Sequence, residues 1–297
     1  MRVGSHQDGL DVTRPDVVTE EEIAEYRAQY LGSNKGLIES FEFWLEFRPD
    51  VLKRHKARTR HFTSVTAPVA PLVQTLTAIH AYAILGFREG VAYQMRLAQH
   101  LGAQRSDILD TLSVTFIRGG HRAMYAAAAY ADFLRGYEDP PPRDRFPAGW
   151  EFDPHAFDSG MDFTTREATE EDMRRLQGWY RETIGEVPRH VRFLARHRPG
   201  LLKAYRDRLE HAIRDSLPKQ MLPYLLLHHD VVRGFRDGIR ENVLLGRAMG
   251  MTREQLLDAM TFAVLHAGVE VLDAAEEAAG DLLDDMDEPT DERDAHT

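Results

Sequence analysis

The stretch of sequence that decides the fold is a short motif, bounded by glycines, that occurs twice. The first copy reads Gly86-Phe87-Arg88-Glu89-Gly90. The second copy lies 148 residues further on and reads Gly234-Phe235-Arg236-Asp237-Gly238. A repeat at this distance indicates a duplicated domain and is too long for a solenoid unit. Each candidate residue in one half therefore has a counterpart in the other.

The repeat extends towards the start of each half. Thr19 to Glu22 corresponds to Thr169 to Asp172, and the segment 48–53 corresponds to 198–203, both at an offset of 150. These matches predict two helical repeats with a connecting strap. The predicted parts are a polar N-terminal segment (1–18), a first helical repeat (19–136), a proline- and aromatic-rich strap (137–168), a second helical repeat (169–283) and an acidic disordered tail (284–297).

Both repeats are predicted to be all-α. Thr19 and Thr169 are N-cap candidates followed by acidic first turns, and no alternating strand pattern is convincing. We expect about seven helices in each half. The predicted ranges are 19–32, 36–47, 50–62, 68–85, 87–101, 105–117 and 120–135, then 169–182, 187–197, 200–214, 217–233, 235–249, 253–266 and 268–283.

Composition limits the possible functions. The 297 residues are 43% hydrophobic and 29% charged, which is typical of a globular protein. Since there is no cysteine, disulfides, thiolate catalysis and cysteine-bound zinc are excluded, and a cytoplasmic location is expected. We find no membrane-spanning run, signal peptide or basic stripe, so neither a membrane nor nucleic acid is an expected partner.

The net charge of −11 comes mostly from the C-terminus. Ten acidic residues and one arginine lie between Glu276 and Asp294. This stretch is interpreted as a solvated tail, with docking to a basic partner as the alternative. The strap differs from a free linker because four aromatic residues lie between its run of three prolines, 140–142, and Asp162. We expect those rings, Phe146, Trp150, Phe152 and Phe157, to pack against the helices.

Spacing after the repeated motif resembles a known superfamily. Gln94 precedes Gly102 by eight residues, and Asn242 precedes Gly250 by eight. Gly119-Gly120 and Ala267-Gly268 match the small-residue turn before the last helix of the family. The chain thus resembles the carboxymuconolactone decarboxylase and alkylhydroperoxidase-D superfamily. The resemblance implies two tandem alkylhydroperoxidase D-like domains and a homo-oligomer with pockets at subunit or repeat contacts.

The sequence departs from that family at its reactive positions. The two cysteine positions hold Phe87 and Gly90 in the first half, and Phe235 and Gly238 in the second. Thiol peroxidase activity therefore lacks its nucleophile. The family's histidine position holds Gln94 and Asn242, whose amides cannot transfer protons but can orient a substrate.

Two other histidines are candidates for general acid/base catalysis. His80 and His228 stand at equivalent positions, seven residues before Phe87 and Phe235. If each helix is continuous, or bends only at its glycine, this spacing places each histidine on one face with Gln94 or Asn242. The alternative interpretation is a pair of core histidines.

Further residues are candidates for substrate binding. Arg88 and Arg236 could hold a carboxylate, or could pair with the neighbouring acids Glu89 and Asp237. His121 and His266 follow or precede the small-residue turns. A metal site is not expected, because His228 and His229 are adjacent and point in different directions on a helix.

The predicted function is that of a cofactor-independent lyase or decarboxylase. The substrate class would be a small organic acid, lactone or carbonyl compound. The alternative is a ligand-binding or scaffolding protein that has kept the fold and lost the chemistry.

Overall fold

The computed structural model describes residues 6–7, 9–14, 16–32, 39–59, 69–128, 130–141 and 144–286. Within these ranges the protein is all-α, which confirms the predicted fold class. A two-residue antiparallel pair, β1 (His6–Gln7) with β2 (Leu10–Asp11), precedes the helices. Most of the predicted acidic tail, from residue 287 onward, lies outside the described residues.

The helices follow the predicted order in both halves. Those of the first half are α1 (Glu20–Gly32), α2 (Glu39–Phe47), α3 (Pro49–Thr59), α4 (Pro71–Leu85), α5 (Arg88–His100), α6 (Arg105–Ala128) and α7 (Ala131–Arg135). Those of the second half are α8 (Glu170–Ile184), α9 (Arg189–His197), α10 (Pro199–Glu210), α11 (Met221–Val232), α12 (Arg236–Ala248), α13 (Arg253–Phe262), α14 (Val264–Ala267) and α15 (Val271–Asp284).

The helix ends follow from local sequence. The Thr169 hydroxyl accepts a hydrogen bond from the Asp172 backbone N–H, and the Asp172 carboxylate accepts one from the Thr169 N–H. Thr19 and Glu22 make the same pair of bonds at the start of α1. This reciprocal arrangement satisfies N–H groups that have no partner within the helix. Helix α6 runs further than predicted but breaks at Gly120, where φ is 61° and ψ is −150°.

The centre of the molecule consists of α4 and α11. Both helices are buried on nearly every side, and they pack against each other. One continuous hydrophobic core extends from Val69 in the first half to Leu283 in the second. A smaller cluster joins Leu10, Tyr26, Leu45 and Leu52 near the start of the chain. The two halves are therefore joined by buried apolar surface as well as by the strap.

The strap contacts both halves, and on the first half Arg145 pairs with the buried Asp107 of α6 at 2.8 Å. Phe157 is buried, and Phe146 and Trp150 pack against the main core. The Trp150 ring lies 6.0 Å from that of Tyr224, centroid to centroid. Phe152 differs from the prediction, because it lies 45% exposed.

Candidate functional site

The junction between α11 and α12 builds a buried acidic position. The Phe235 N–H donates to the Asp230 carbonyl oxygen at 2.8 Å, which turns the chain from one helix into the next. Asp230 then lies against the first turn of α12, where residue 238 is glycine. A Cβ at Gly238 would stand 2.3 Å from the Asp230 carboxylate, so only glycine admits this contact.

Asp230 is held by donors from two elements. The Arg118 guanidinium, on α6 of the first half, donates to both carboxylate oxygens at 2.7 and 2.5 Å. The Asn242 amide on α12 donates to one of them at 2.9 Å. The Arg118 side chain is 20% exposed and that of Asp230 only 2%. Burial raises the pKa of Asp230, while Arg118 and Asn242 favour its ionised form.

Glu241 stands beside Asn242 in the same polar group. The Tyr180 hydroxyl donates to one carboxylate oxygen at 3.4 Å, and His190 Nδ1 lies 3.6 Å from the other. Burial raises the pKa of Glu241 to about 7, although the Arg118 cation opposes the shift. A carboxyl group with this pKa exchanges protons readily at neutral pH.

Glu241 lies between two cavities. A small cavity of about 20 Å³ is bounded by the polar side chains of Arg118, Glu241 and Asn242 and by apolar ones such as Phe157 and Leu222. This volume is enough for about one water molecule. A cleft of about 300 Å³ reaches Glu241 from the other side, between the start of α9 and α12. Glu241 is therefore the carboxyl group that both spaces share.

The predicted catalytic histidines occupy a different place. His80 and His228 are both 0% exposed. His80 Nδ1 lies 2.9 Å from the Thr115 hydroxyl, and His228 Nε2 lies 3.1 Å from His266 Nδ1. Burial, reinforced by neighbouring imidazoles, lowers the pKa of both well below the usual value. Both rings are therefore neutral at physiological pH.

The predicted shared face also needs correction. It required a helix that is continuous, or bends only at its glycine, through Phe87 and Phe235, but both residues have non-helical backbone angles just before the first residue of a new helix. The seven-residue spacing therefore does not fix a common face for His80 and Gln94. Gln94 is half-buried, whereas Asn242 is buried and joins the Asp230 group.

The remaining candidates lie at the surface or at the contact between halves. Arg88 and Arg236 are exposed, and Arg236 pairs with Glu277 at 2.5 Å rather than with Asp237. The exposed ring of His121 lies 6.1 Å from that of Tyr125. His266 is half-buried and contacts His228. Among the hydrogen bonds and ion pairs of the described residues, none links these four side chains to the Asp230 carboxylate.

Sequence reasoning missed Arg118, Asp230 and Glu241. A usable signal was present, because the first half has Tyr82 and Tyr93 where the second has Asp230 and Glu241, at an offset of 148. Two tyrosines replaced by two acids near one motif mark a chemical difference between the halves. No group of three or more His, Cys, Asp or Glu side chains among the described residues is arranged to hold a metal ion.

Comparison of the chain with protein-family models, curated proteins and solved structures finds no match. The resemblance to the carboxymuconolactone decarboxylase superfamily therefore stays a prediction from spacing. No helix in the described part of the chain is long and apolar enough to cross a membrane.

Proposed function

We propose that this protein is an acid–base enzyme of the lyase or decarboxylase type, with Glu241 as the group that transfers the proton. The observation that carries the proposal is that Glu241 lines both a small, partly apolar cavity and a neighbouring cleft. Enclosed carboxyl groups with charged neighbours at a cleft are typical of acid–base sites.

The cleft favours a small anionic substrate. Its volume of about 300 Å³ is at the lower end for ligand sites. Arg189, Arg192 and Arg240 line it, but Arg189 lies near Asp237 and Arg240 contacts Asp281. Arg192 donates to the Val187 carbonyl oxygen, and its exposed guanidinium retains further donors for a carboxylate. The substrate class is thus a small organic acid, lactone or carbonyl compound with an anionic group.

In a decarboxylation, the bond between the carboxyl carbon and its neighbour breaks and carbon dioxide leaves. The electron pair stays on the neighbouring carbon, conjugated with a carbonyl group of the substrate. Glu241, in its protonated form, donates its proton to that carbon and recovers one from solvent through the cleft. Arg192 would hold an anionic group that does not leave. This chemistry uses only side chains of the chain itself and no cofactor.

The test is Glu241→Gln, which keeps the shape of the side chain and removes its proton transfer. Substrate would first be sought by proton NMR among 3-oxo acids and carboxylated γ-lactones, with a chelator present. We expect turnover to fall about 10²- to 10⁴-fold, with the melting temperature retained. The control is Glu182→Gln, the same change at an exposed position of α8. Full turnover by E241Q would contradict the assignment.

The same assay distinguishes a catalytic role of His80 and His228 from a structural one. His80→Gln and His228→Gln should lower the melting temperature and leave turnover near the wild-type value. A large loss of turnover with an unchanged melting temperature would return the catalytic role to the histidines. Binding of the acids without turnover by the wild type would favour the alternative, a non-catalytic ligand-binding or scaffolding protein.

We also propose that the chain forms a homo-oligomer in the cytoplasm and uses the first half for the contact. The exposed side chains of Met124 and Tyr125, next to a run of alanines on α6, support this part of the proposal. The lack of cysteine supports the location.

A further inference from the structure

Two residues at corresponding positions each reach across to the other half. Arg118 and His266 are 148 residues apart, as are Tyr82 and Asp230. Arg118 of the first half binds Asp230 of the second. His266 of the second half packs its ring against Tyr82 of the first, with centroids 5.2 Å apart. We call these two contacts between the halves crossings; they join corresponding positions in opposite directions.

The chemistry of the two crossings differs. On the second-half side, Arg118 and Asp230 form an ion pair next to the acid Glu241. On the first-half side, the residue that corresponds to Glu241 is Tyr93, and Tyr82 packs its ring edge-on against Phe87 at 5.3 Å. One crossing is ionic, and the other is an aromatic contact.

We infer that the chain has a single working site, in the second half, and that Arg118 of the first half is the positioning residue that completes it. This inference rests on the proposed function for the catalytic role of Glu241. Arg118 acts in two ways. Its Nη2 nitrogen donates to both carboxylate oxygens of Asp230, which orients Asn242, and its charge bears on Glu241 across the small cavity.

Other charged or titratable groups also face Glu241. Those on neighbouring helices are Arg118 on α6, Tyr180 on α8, His190 on α9, Tyr205 and Arg206 on α10, and Asp230 on α11. On α12 itself, Asp237 and Arg240 line the same cleft. Arg118 is the largest favourable charge among them, so its removal should have the clearest effect on the Glu241 titration.

The test is the titration of Glu241, followed by NMR of side-chain carboxyl carbons in protein labelled with ¹³C-glutamate. The Glu241 signal is assigned by its loss in E241Q. Arg118→Met should raise the midpoint by about one pH unit or more, because a nearby cation favours the carboxylate. Arg118→Lys keeps the charge and should restore most of the wild-type midpoint. Arg122→Met removes a cation from the exposed part of α6, where Arg122 donates to Leu85, and should leave the midpoint unchanged.

An unchanged Glu241 midpoint in folded R118M would overturn the inference. If R118M does not fold, the Asp230→Asn variant is titrated instead. Loss of the Asp230 charge should lower the Glu241 midpoint, and an unchanged midpoint in D230N would also overturn the inference.

Turnover supplies the second readout. Tyr93→Phe, at the first-half counterpart of Glu241, should keep full turnover, and a loss comparable to that of E241Q would contradict a single site. Retained turnover in E241Q with a shifted midpoint in R118M would defeat the proposed function and leave the electrostatic role of Arg118 intact.

Discussion

Four imidazole rings lie close together where the two halves meet. The His80 and His229 rings are 5.7 Å apart between centroids, and those of His228 and His266 are 4.9 Å apart. Burial lowers the pKa of all four, to about 4 for His229 and His266. A buried imidazole that stays neutral packs like a small aromatic ring, but a proton on it would be an uncompensated charge.

These histidines predict a loss of stability in mild acid. An unfolded histidine takes up a proton near pH 6.5, whereas the folded ones do so only at lower pH. The stabilising effect of His229 and His266 is therefore complete above about pH 6.5 and is lost as the pH falls towards 4, by at most about 1.4 kcal/mol per pH unit for each ring. Glu241 acts in the opposite direction, since its raised pKa stabilises the fold as the pH falls below 7, whereas burial lowers the pKa of His190 to about 4 and adds to the effect of the four rings.

Urea unfolding between pH 8 and pH 5 measures this effect. We expect the unfolding free energy to be steady above pH 7 and to drop below pH 6.5. His228→Gln should make the acid limb shallower, because one of the titrating groups is gone. A flat profile from pH 7 to pH 5 would show that the rings are protonated in the folded protein without cost.

Among the structural elements, the α11–α12 junction depends on one glycine. At Gly238 an added methyl group would contact both the Asp230 carboxylate and the Phe235 ring, at 2.3 and 2.5 Å. Gly178, in the middle of α8, has no atom within 4 Å of such a methyl group. The two glycines therefore offer a matched pair for substitution by alanine.

Gly238→Ala should destabilise the protein by about 1–3 kcal/mol, because the junction must shift to relieve the overlap. It should also raise the Glu241 midpoint or lower turnover, since Asp230 and Asn242 move. Gly178→Ala should stabilise by about 0.4–1 kcal/mol through the unfolded chain, with turnover unaffected. Thermal unfolding of both variants measures the difference. Equal melting temperatures of G238A and G178A would contradict the steric role of Gly238 at the junction.

Sequence predicted the helices well because their ends are set by local chemistry. The cap Thr169 and the break at Gly234 are readable without tertiary contacts, and the structure begins α8 and α12 within two residues of them. The site was not readable in the same way. Asp230 and Asn242 are twelve residues apart on different helices, and only the turn between these helices brings them together.

The predicted shared face assumed a helix that is continuous or bends only at its glycine, whereas Phe87 and Phe235 are non-helical residues just before α5 and α12. The contact between Arg118 and Asp230 could not be predicted from local sequence, because the two residues are 112 positions apart and meet only where the two halves pack. A comparison of the two copies, position by position, would have identified Asp230 and Glu241 as acids without acidic counterparts.

At the scale of the whole molecule, the first half has the more apolar outer face. Tyr125 is 67% exposed on α6, while its counterpart region on α15 carries Asp273, Glu276 and Glu277. We expect a dimer or trimer through the first half, measured by light scattering at micromolar concentration. Tyr125→Glu should shift the mass towards the monomer, and Val269→Glu, at an exposed position of the second half, should not. A monomeric wild type would exclude the proposed assembly.

The crossing of Arg118 to Asp230 makes the two halves dependent on each other. Two copies of the second half, packed in the same manner, would set His266 against Asp230, and two copies of the first would bury Arg118 against Tyr82. In the first-half pair Arg118 would have no carboxylate, and a lone buried partner of an ion pair costs about 3–5 kcal/mol. In the second-half pair His266 would have to take up a proton to neutralise Asp230, although burial lowers its pKa to about 4. The observed contact therefore favours two unlike halves over a symmetric pair of either one.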